Sequence, residues 1–351
     1  MSVPAAMNDH AGDVHRRWDP LQAEWVLVSP HRDRRPWQGQ QEPLEAALPK
    51  FDAGCYLCPG NVRANGERNP DYSGVFVFDN DFPALLDGAG PLPESGGLLR
   101  SEPVRGRCRV LCYAPRHDLS LARMDAAAVA DVVAAWQRES TDLGRDWRWV
   151  QCFENRGAAM GCSSPHPHGQ IWALDALPTL VQREQNTQQA HFDAHGRSML
   201  LDLAEQEAQH PERIVIEDTH WLVLVPFWAR WPFETLILPR RPCPGLAALD
   251  DAECAALSLV LGELFRAYDN LFRTSFPYSF GWHGLPGPIH RHAGPWQLHG
   301  HCYPPLLRSA TVRKFMVGFE LLAETQRDIT PEAAAAKLRS ARGPHWQEES
   351  A

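Results

Sequence analysis

Hydrophobic and polar residues alternate along part of this chain and recur at helical spacing elsewhere. In the first half, alternation predicts strands near residues 74–82, 107–113 and 149–154. Between the last two, apolar positions recur at i, i+3, i+4 and i+7, which predicts an amphipathic helix with Asp125 as its N-cap. The apolar positions of that helix are Val129, Val132, Val133 and Trp136.

The second half repeats this order. Strands are predicted near residues 213–217, 221–226, 234–238 and 278–282, the first two as a hairpin. A helix is predicted to begin near Asp250 or Asp251. Its apolar face comprises Leu257, Val260, Leu261, Leu264, Phe265 and Tyr268.

Each half therefore reads as strands, one amphipathic helix and a strand that ends in His-x-His. This predicts an α+β fold of two similar halves, residues 1–177 and 178–351, each an antiparallel sheet with a helix. Residues 178–209 are rich in Gln, Glu and His and are predicted to form a helical connection. The alanine-rich stretch from Thr330 to Ser340 is predicted to be helical.

The chain has 351 residues and a formal net charge of −9, which disfavours a general nucleic-acid binder. The N-terminal residues lack the apolar core of a signal peptide, and no stretch has the roughly 20 apolar residues of a membrane helix. These features predict a soluble, cytoplasmic protein. Nine cysteines in such a chain do not suggest a disulfide framework.

The most specific motif is Pro165-His166-Pro167-His168-x-Gln170. Prolines stiffen the approach and exclude a helix, and alternation places His168 and Gln170 on one side of an extended chain. An imidazole in such a place can attack phosphorus while the amide holds a phosphoryl oxygen, as in covalent nucleotidyl transfer. The alternative is a surface loop with two solvated histidines.

Cys55 and Cys58 form a CxxC pair that could fill half of a tetrahedral zinc site. His117 and His166 are candidates for the remaining ligands, and a redox pair or two packed cysteines are alternatives. In the second half, His283, His299 and His301 lie close enough in sequence to bind another ion with a carboxylate. The residue pattern does not choose that carboxylate, and solvent-facing histidines are the alternative.

The chain resembles the galactose-1-phosphate uridylyltransferases of the histidine-triad superfamily over nearly its whole length. The resemblance rests on several ordered matches: Asn80-Asp81-Phe82, Phe153-Glu154-Asn155, the run from Gly157 through Gln170, and the run from Pro304 to Gly318. It implies two histidine-triad-like halves that form an open half-barrel.

The implied reaction moves UMP from UDP-glucose to galactose 1-phosphate by a double displacement in which His168 carries the uridylyl group. Gln170 and Ser163 are implied catalytic residues, and Gly161 and Cys162 line the phosphate path. Other residues that match nucleotide- and phosphate-binding positions of the family are Arg32, Arg35, Asn80, Asp81 and Asn155.

The resemblance also implies two metals and a homodimer with shared active sites. Zinc would bind Cys55, Cys58, His117 and His166, and iron or zinc would bind Glu184, His283, His299 and His301. The residues expected to reach the partner's active site are Lys314, Phe315, Glu320 and Gln326, with Phe319 where the family usually has tyrosine. The alternative for residues 313–326 is a solvated surface helix.

Two alternative functions use similar residues. A dinucleoside-polyphosphate phosphorylase, or another sugar-phosphate nucleotidylyltransferase, can use a similar His-x-His-x-Gln motif. A nonenzymatic, zinc-dependent nucleotide-binding module would not need the intact pair of His168 and Gln170.

Overall fold

The computed structural model describes residues 12–34, 48–88, 90, 96–287 and 294–348, and these residues contain twelve strands and six α-helices. The strands are β1 (His15–Asp19), β2 (Glu24–Val28), β3 (Phe76–Asp79), β4 (Gly106–Cys112), β5 (Trp149–Arg156), β6 (His168–Leu174), β7 (Ile214–Glu217), β8 (Trp221–Leu224), β9 (Thr235–Pro239), β10 (Tyr278–His283), β11 (His299–Tyr303) and β12 (Gln326–Arg327). The helices are α1 (Ala126–Leu143), α2 (Thr179–His195), α3 (Met199–Gln209), α4 (Asp251–Phe272), α5 (Phe319–Leu322) and α6 (Pro331–Ser340).

Nine strands form one antiparallel sheet in the order β3-β4-β6-β5-β10-β11-β9-β8-β7. The strands of the two halves meet where β5 pairs with β10, with Asn155 opposite Ser279. Because β3 and β7 lie at the two ends of this order, the sheet is open and does not close into a barrel. The predicted α+β class with antiparallel strands is confirmed, and the two sets of strands join edge to edge in one sheet.

A small second sheet connects the two ends of the chain. β1 and β2 are antiparallel, and β12 pairs with β2 in parallel, with Gln326 opposite Leu27. The backbone N–H groups of Leu27 and Ser29 donate to the carbonyls of Thr325 and Arg327. A strand late in the second half therefore completes a sheet that begins in the first.

The two predicted amphipathic helices are confirmed as α1 and α4, which pack against each other. Asp125 caps α1 by accepting from the Ala128 N–H, and Asp250 caps α4 in a capping box with Glu253. All the apolar positions predicted for the two helix faces are buried. The predicted helical connection is also confirmed, as α2 and α3, and the predicted tail helix as α6.

The predicted position of His-x-His at the ends of strands is wrong, because both pairs lie where a strand begins. β6 starts at His168, directly after Pro167, whose nitrogen carries no hydrogen to donate to a strand ladder. β11 starts at His299. The preceding N–H of Leu298 donates to the Cys243 carbonyl, and that of Gln297 to Gln188, so neither is available to the ladder.

Candidate active site and metal sites

The His168 side chain lies on one face of β6, which is flanked by β4 and β5. Cys112 lies opposite His168 and Phe153 opposite Gln170 in the two ladders. His168 and Gln170 are two positions apart on the strand, so their side chains share a face, as predicted from alternation. A central strand holds this pair in a fixed register.

The orientation of the His168 imidazole is set by the chain itself. Its Nδ1–H donates to the backbone carbonyl of His166 at 2.7 Å. This bond places the ring proton on Nδ1 and leaves a lone pair on Nε2. Burial, only partly opposed by this hydrogen bond, lowers the pKa of His168 below its ordinary value of 6.5. The imidazole is therefore neutral at physiological pH.

Two cavities adjoin His168. One, of about 340 Å³, is lined by His168, Gln170 and Ser163 together with Asn80 and Asp81. The other, of about 400 Å³, is lined by His168, Ser163, Asn155 and the residues from Gly157 to Ala158 and from Cys162 to Pro167. Most of the site residues predicted in the first half therefore surround one imidazole.

Hydrogen bonds among the residues that line the cavities determine which of their polar groups remain available to a ligand. The Gln170 Oε1 accepts from the Trp172 indole N–H at 2.9 Å, so the amide nitrogen of Gln170 is the group that can donate. The Ser163 Oγ lies 3.3 Å from the Tyr56 hydroxyl. Asn155 Oδ1 accepts from the Ser279 Oγ at 2.7 Å, which ties its amide to β10. Gly161 adopts φ +75°, a conformation that favours glycine.

Cys55, Cys58, His117 and His166 form a buried cluster whose ligand atoms all lie within 4.8 Å of one another. The Cys58 Sγ is 3.5 Å from the His166 Nδ1 and 3.6 Å from the His117 Nδ1. His166 Nε2 donates to the Ala114 carbonyl at 2.9 Å, so its Nδ1 lone pair faces the cluster. Two sulfurs and two nitrogens at this spacing fit a tetrahedral zinc ion.

The protonation states in this cluster agree with a metal site. Burial, with the charge of His117, lowers the pKa of His166 to about 4, so the imidazole is neutral. Burial raises the pKa of the Cys58 thiol to about 11. A thiolate there needs a compensating cation, which a bound metal supplies.

The second predicted ligand set also comes together, from α2, β10 and β11. Glu184 Oε2 is 2.8 Å from the His283 Nδ1 and 3.4 Å from the His299 Nε2, and Glu184 Oε1 is 3.8 Å from the His301 Nε2. Burial opposes ionisation of Glu184, but the charge of His283 and its hydrogen bond outweigh burial and hold the pKa of the carboxyl well below its usual range. Burial, His283 and His299 together lower the pKa of His301 well below 6.5.

The hydrogen-bond pattern supports an ion at this second cluster. His299 Nδ1–H donates to the Gln297 carbonyl at 2.8 Å, so its Nε2 carries a lone pair that faces the Glu184 carboxylate. Neither this Nε2 nor either ring nitrogen of His301 has a hydrogen-bond partner among the described residues. Lone pairs that face each other in a buried site fit a metal cation, and three imidazoles with one carboxylate suit iron or zinc.

Arg32 lies outside both His168 cavities, beside the small sheet. Its Nε donates to Asp328 Oδ1 at 3.1 Å, and Gln326 Nε2 donates to the same oxygen at 2.8 Å. Neither Arg32 nor Gln326 lines either cavity in the described ranges. The structure therefore groups Arg32 with the C-terminal segment. Arg35 lies outside the described residues.

Glu320 is the centre of a buried ion-pair cluster next to Arg32. Its Oε1 accepts from Arg327 Nη2 at 2.7 Å and from the Gln326 backbone N–H at 3.0 Å, and Lys314 pairs with its other oxygen. The neighbouring segment exposes several large apolar side chains. They are Phe315, Val317, Phe319, Leu321 and Leu322, each more than half exposed.

The alternative of a surface helix over residues 313–326 is wrong. The segment contains only the four-residue helix α5, and the Lys314 N–H donates back to the Pro305 carbonyl. Gly318 has φ +57°, which breaks a helical path directly before α5.

Three supporting residues were not predicted from the sequence. The Tyr72 hydroxyl lies 3.1 Å from His166 Nε2, and Gln22 Nε2 donates to Glu184 Oε1 at 2.8 Å. Trp172 could have been found, because it lies two residues after Gln170 on the same strand face. Tyr72 and Gln22 are distant in sequence from their partners, and no local pattern identifies them.

The neutral His168 imidazole beside the Gln170 amide suits nucleotidyl transfer, and the family to which the sequence belongs is a family of nucleotidyltransferases. Residues 4–178 match the family described as "Galactose-1-phosphate uridyl transferase, N-terminal domain", and residues 184–350 match the corresponding C-terminal domain. The chain belongs to the galactose-1-phosphate uridylyltransferase family. Among the described helices, none is long and apolar enough to cross a membrane.

Individual relatives agree over almost the full length. The chain is 52% identical over 339 residues to a galactose-1-phosphate uridylyltransferase of Haemophilus influenzae, covering 95% of this chain and 96% of the relative. It is 53% identical over 329 residues to that of Rattus norvegicus, covering 93% and 87%. A solved structure described as "Structure of uridylyltransferase" superposes with a TM-score of 0.74 at 28% identity, covering 93% of this chain and 97% of that one.

An ADP-glucose phosphorylase from Arabidopsis thaliana shares the fold, with a TM-score of 0.72 at 22% identity, covering 93% of this chain and 99% of that one.

Proposed function

We propose that this protein transfers UMP from UDP-glucose to galactose 1-phosphate through a uridylyl group on His168, with glucose 1-phosphate and UDP-galactose as products. The observation that carries the proposal is the His168 imidazole, neutral and held by the His166 carbonyl, between two cavities.

The first step forms a bond from His168 Nε2 to the α-phosphorus of UDP-glucose and breaks the bond to the bridging oxygen. The electron pair of that bond leaves with glucose 1-phosphate. In the second step a phosphate oxygen of galactose 1-phosphate attacks the same phosphorus, and the N–P bond breaks to restore the neutral imidazole. Attacking and leaving phosphates are ionised at neutral pH, so no carboxylate is needed as a base.

Gln170 and Ser163 stabilise the phosphoryl group during transfer. The Gln170 amide nitrogen donates to a phosphoryl oxygen, and the Ser163 hydroxyl does so at the junction of the two cavities. Asn80, Asp81 and Asn155 bind the substrate, as does the loop of Gly161 and Cys162.

A zinc ion held by Cys55, Cys58, His117 and His166 would serve structure and supply no step of the transfer. It would fix His166, whose carbonyl oxygen orients His168. A second metal, iron or zinc, would join α2 to the end of β10 and the start of β11. Its ligands would be Glu184, His283, His299 and His301. The boundary between residues 177 and 178 stays a prediction, as does the cytoplasmic location.

We further propose a homodimer in which Arg32, Lys314, Phe315, Phe319, Glu320 and Gln326 contact substrate in the partner's active site. Two observations support this. Arg32 and Gln326 lie outside both His168 cavities in their own chain, although they match substrate-binding positions. The exposed apolar side chains beside them provide a surface that a second copy would cover.

Incubation with UDP-glucose alone tests the central step. Mass spectrometry should find one uridylyl group per chain on the peptide that contains His168, and galactose 1-phosphate should release it as UDP-galactose. A His168→Gly variant should remain unmodified while it still binds UDP-glucose. An adduct on another peptide, or release by inorganic phosphate in preference to galactose 1-phosphate, would contradict the proposal.

Subunit mixing tests the shared sites. His168→Gly and Arg32→Ala chains should each be nearly inactive alone, and exchange should restore activity because one hybrid site then carries neither change. Arg32→Ala is preferred to a Glu320 variant, because removing the Glu320 carboxylate would strand the buried Arg327. A monomer in solution, or no recovery in proven hybrids, would exclude shared sites.

A further inference from the structure

Arg63 forms a buried charge contact with Asp81 at the wall of the smaller cavity. The side chains of Arg63 and Asp81 are each only 8% exposed, and the Arg63 Nε lies 3.5 Å from the Asp81 Oδ1. Neither of these two atoms has a hydrogen-bond partner among the described residues. Because both charges are removed from water, the ionic contact between them offsets part of the cost of burying each.

A tight turn fixes the position of Arg63. The Arg63 N–H donates to the Glu67 carbonyl at 2.7 Å, and the Gly66 N–H donates to the Arg63 carbonyl at 3.0 Å. Gly66 has φ +90°, which the turn requires and which glycine tolerates. The Arg63 Nη2 pairs with the Glu67 carboxylate. The guanidinium thus contacts Glu67 through Nη2 and Asp81 through Nε.

Aromatic packing fixes the plane of the guanidinium. Its central carbon lies 4.4 Å from the Phe78 ring centroid, at a distance typical of a cation–π contact. Phe78 stacks on Phe76, and Phe76 stacks on Tyr72, with ring centroids 5.3 and 5.0 Å apart. Since Tyr72 contacts His166, this aromatic ladder links Arg63 to the first metal cluster.

Asp81 also lines the cavity that holds His168 and Gln170. From this geometry we infer that Arg63 is a positioning residue: it holds the Asp81 carboxylate at the cavity wall so that the carboxylate accepts hydrogen bonds from hydroxyl groups of the bound nucleotide sugar. The inference rests on the proposed function and adds to it the residue on which nucleotide binding depends. Arg63 itself contacts no substrate.

A double-mutant cycle tests this dependence. UDP-glucose binding is measured by calorimetry in the His168→Gly background, where no covalent step occurs. Arg63→Gln should weaken binding roughly 30-fold, about as much as Asp81→Asn, since the first change leaves the Asp81 carboxylate without its partner and the second removes the carboxylate charge. The double variant should bind no more weakly than either single variant, because the two residues act through one contact. Additive losses would overturn the inference.

Steady-state kinetics separates positioning from folding. In the otherwise unchanged enzyme, Arg63→Gln should raise KM for UDP-glucose, leave kcat within about threefold and keep the metal content unchanged. Arg68→Gln, in the same turn but exposed, is the matched control and should change KM by less than about twofold. Loss of metal from Arg63→Gln, or a KM for UDP-glucose that stays at the wild-type value, would assign Arg63 a structural role and overturn the inference.

Two further arms of the experiment apply if Arg63→Gln folds poorly, and a separate outcome identifies failure of the proposed function. Added guanidinium ion should restore UDP-glucose binding to Arg63→Gln, and Arg63→Lys should keep part of the affinity because it retains the charge. No restoration in either arm would overturn the inference. If no uridylyl adduct forms on wild-type His168, the proposed function fails, while the calorimetric coupling between Arg63 and Asp81 still decides the inference.

Discussion

The two His-x-His pairs of this chain have the same spacing and different arrangements. In the first half, His166 faces the Cys55–Cys58 cluster and His168 faces two cavities. In the second half, His299 and His301 both face Glu184. The difference arises from where the strand begins. Pro167 delays the start of β6 until His168, so His166 lies in a turn and its direction is independent of strand alternation.

In the second half both histidines belong to β11, so alternation directs both imidazoles to one face. Glu184 from α2 meets them there. One residue before a strand thus decides whether two paired histidines face one cluster together or one faces a cluster and the other a cavity.

The largest expected effect comes from removing the imidazole that faces the two cavities in the first half of the chain. His168→Gly should lower kcat by about 10⁴-fold or more, since no other imidazole lies in its position. Metal content should not change, because His168 belongs to neither cluster. His191→Gly is the control, since His191 lies on α2 outside both clusters, and it should retain activity. Steady-state turnover and metal content are measured on the same sample of His168→Gly. Turnover at the wild-type rate would contradict the prediction.

Removing a ligand of the first cluster should affect stability and chemistry together. Cys55→Ser should lose metal and lower the free energy of unfolding by about 3 kcal/mol or more, because metal binding and folding are coupled. Turnover should fall as well, because His166 then no longer holds His168. Cys254→Ser, at a half-buried cysteine of α4, should keep metal and activity. Full metal content in Cys55→Ser by elemental analysis would contradict the assignment.

Each half also buries a glutamate whose pKa is raised by burial from 4.5 to about 7: Glu154 in β5 and Glu234 before β9. Burial raises the pKa of Glu154 from 4.5 to about 7, partly opposed by Arg156 and by the Tyr278 hydroxyl that donates to it at 3.3 Å. The folded state thus binds the proton more tightly than the unfolded chain. This stabilising contribution is present below about pH 4.5 and is lost as pH rises to about 7.

Glu154→Gln should therefore flatten the dependence of stability on pH between these values. At pH 8 the variant should be more stable than wild type by an amount on the order of 2 kcal/mol, since the buried charge is absent. Thermal denaturation from pH 5 to pH 8 measures this. Glu217→Gln, at an exposed glutamate of β7, should show the wild-type slope. An unchanged slope in Glu154→Gln would refute the prediction.

The smallest expected effects concern the residues that support each cluster. Tyr72→Phe should lower the metal affinity of the first cluster about tenfold, and Gln22→Ala should lower that of the second cluster by about the same factor. Each change removes a hydrogen bond to one ligand. Competition with a chelator measures both sites in the same sample. Cross effects, in which Tyr72→Phe weakens the second metal equally, would show that the two clusters are not independent.

Local patterns predicted much of this molecule. Asp125, Asp250 and Thr330 mark helix starts because a side chain that caps a helix acts within a few residues. Side-chain alternation along a strand is equally local, and it predicted that His168 and Gln170 share one face. The motif residues of the site were identified from the sequence, and the structure brings together His168, Gln170 and both proposed ligand sets.

Pairings between distant segments could not be predicted in this way. The β5–β10 and β2–β12 ladders depend on backbone hydrogen bonds that any side chain can accompany. The contact of Arg63 with Asp81 and the position of Arg32 beside Asp328 follow from those pairings. Neither is apparent in the local sequence.

The parallel pairing of β12 with β2 has a consequence for biosynthesis. β2 ends at Val28 and the third strand of its sheet begins only at Gln326, so the hairpin of β1 and β2 leaves the ribosome long before that strand is synthesised. Until then the β2 edge is an unpaired template to which another nascent chain could add a strand. Ion pairing of Glu320 with Arg327 can form only when β12 arrives. A chain that stops before β12 should therefore expose this edge and promote aggregation, even though every described residue that lines the His168 cavities is already present.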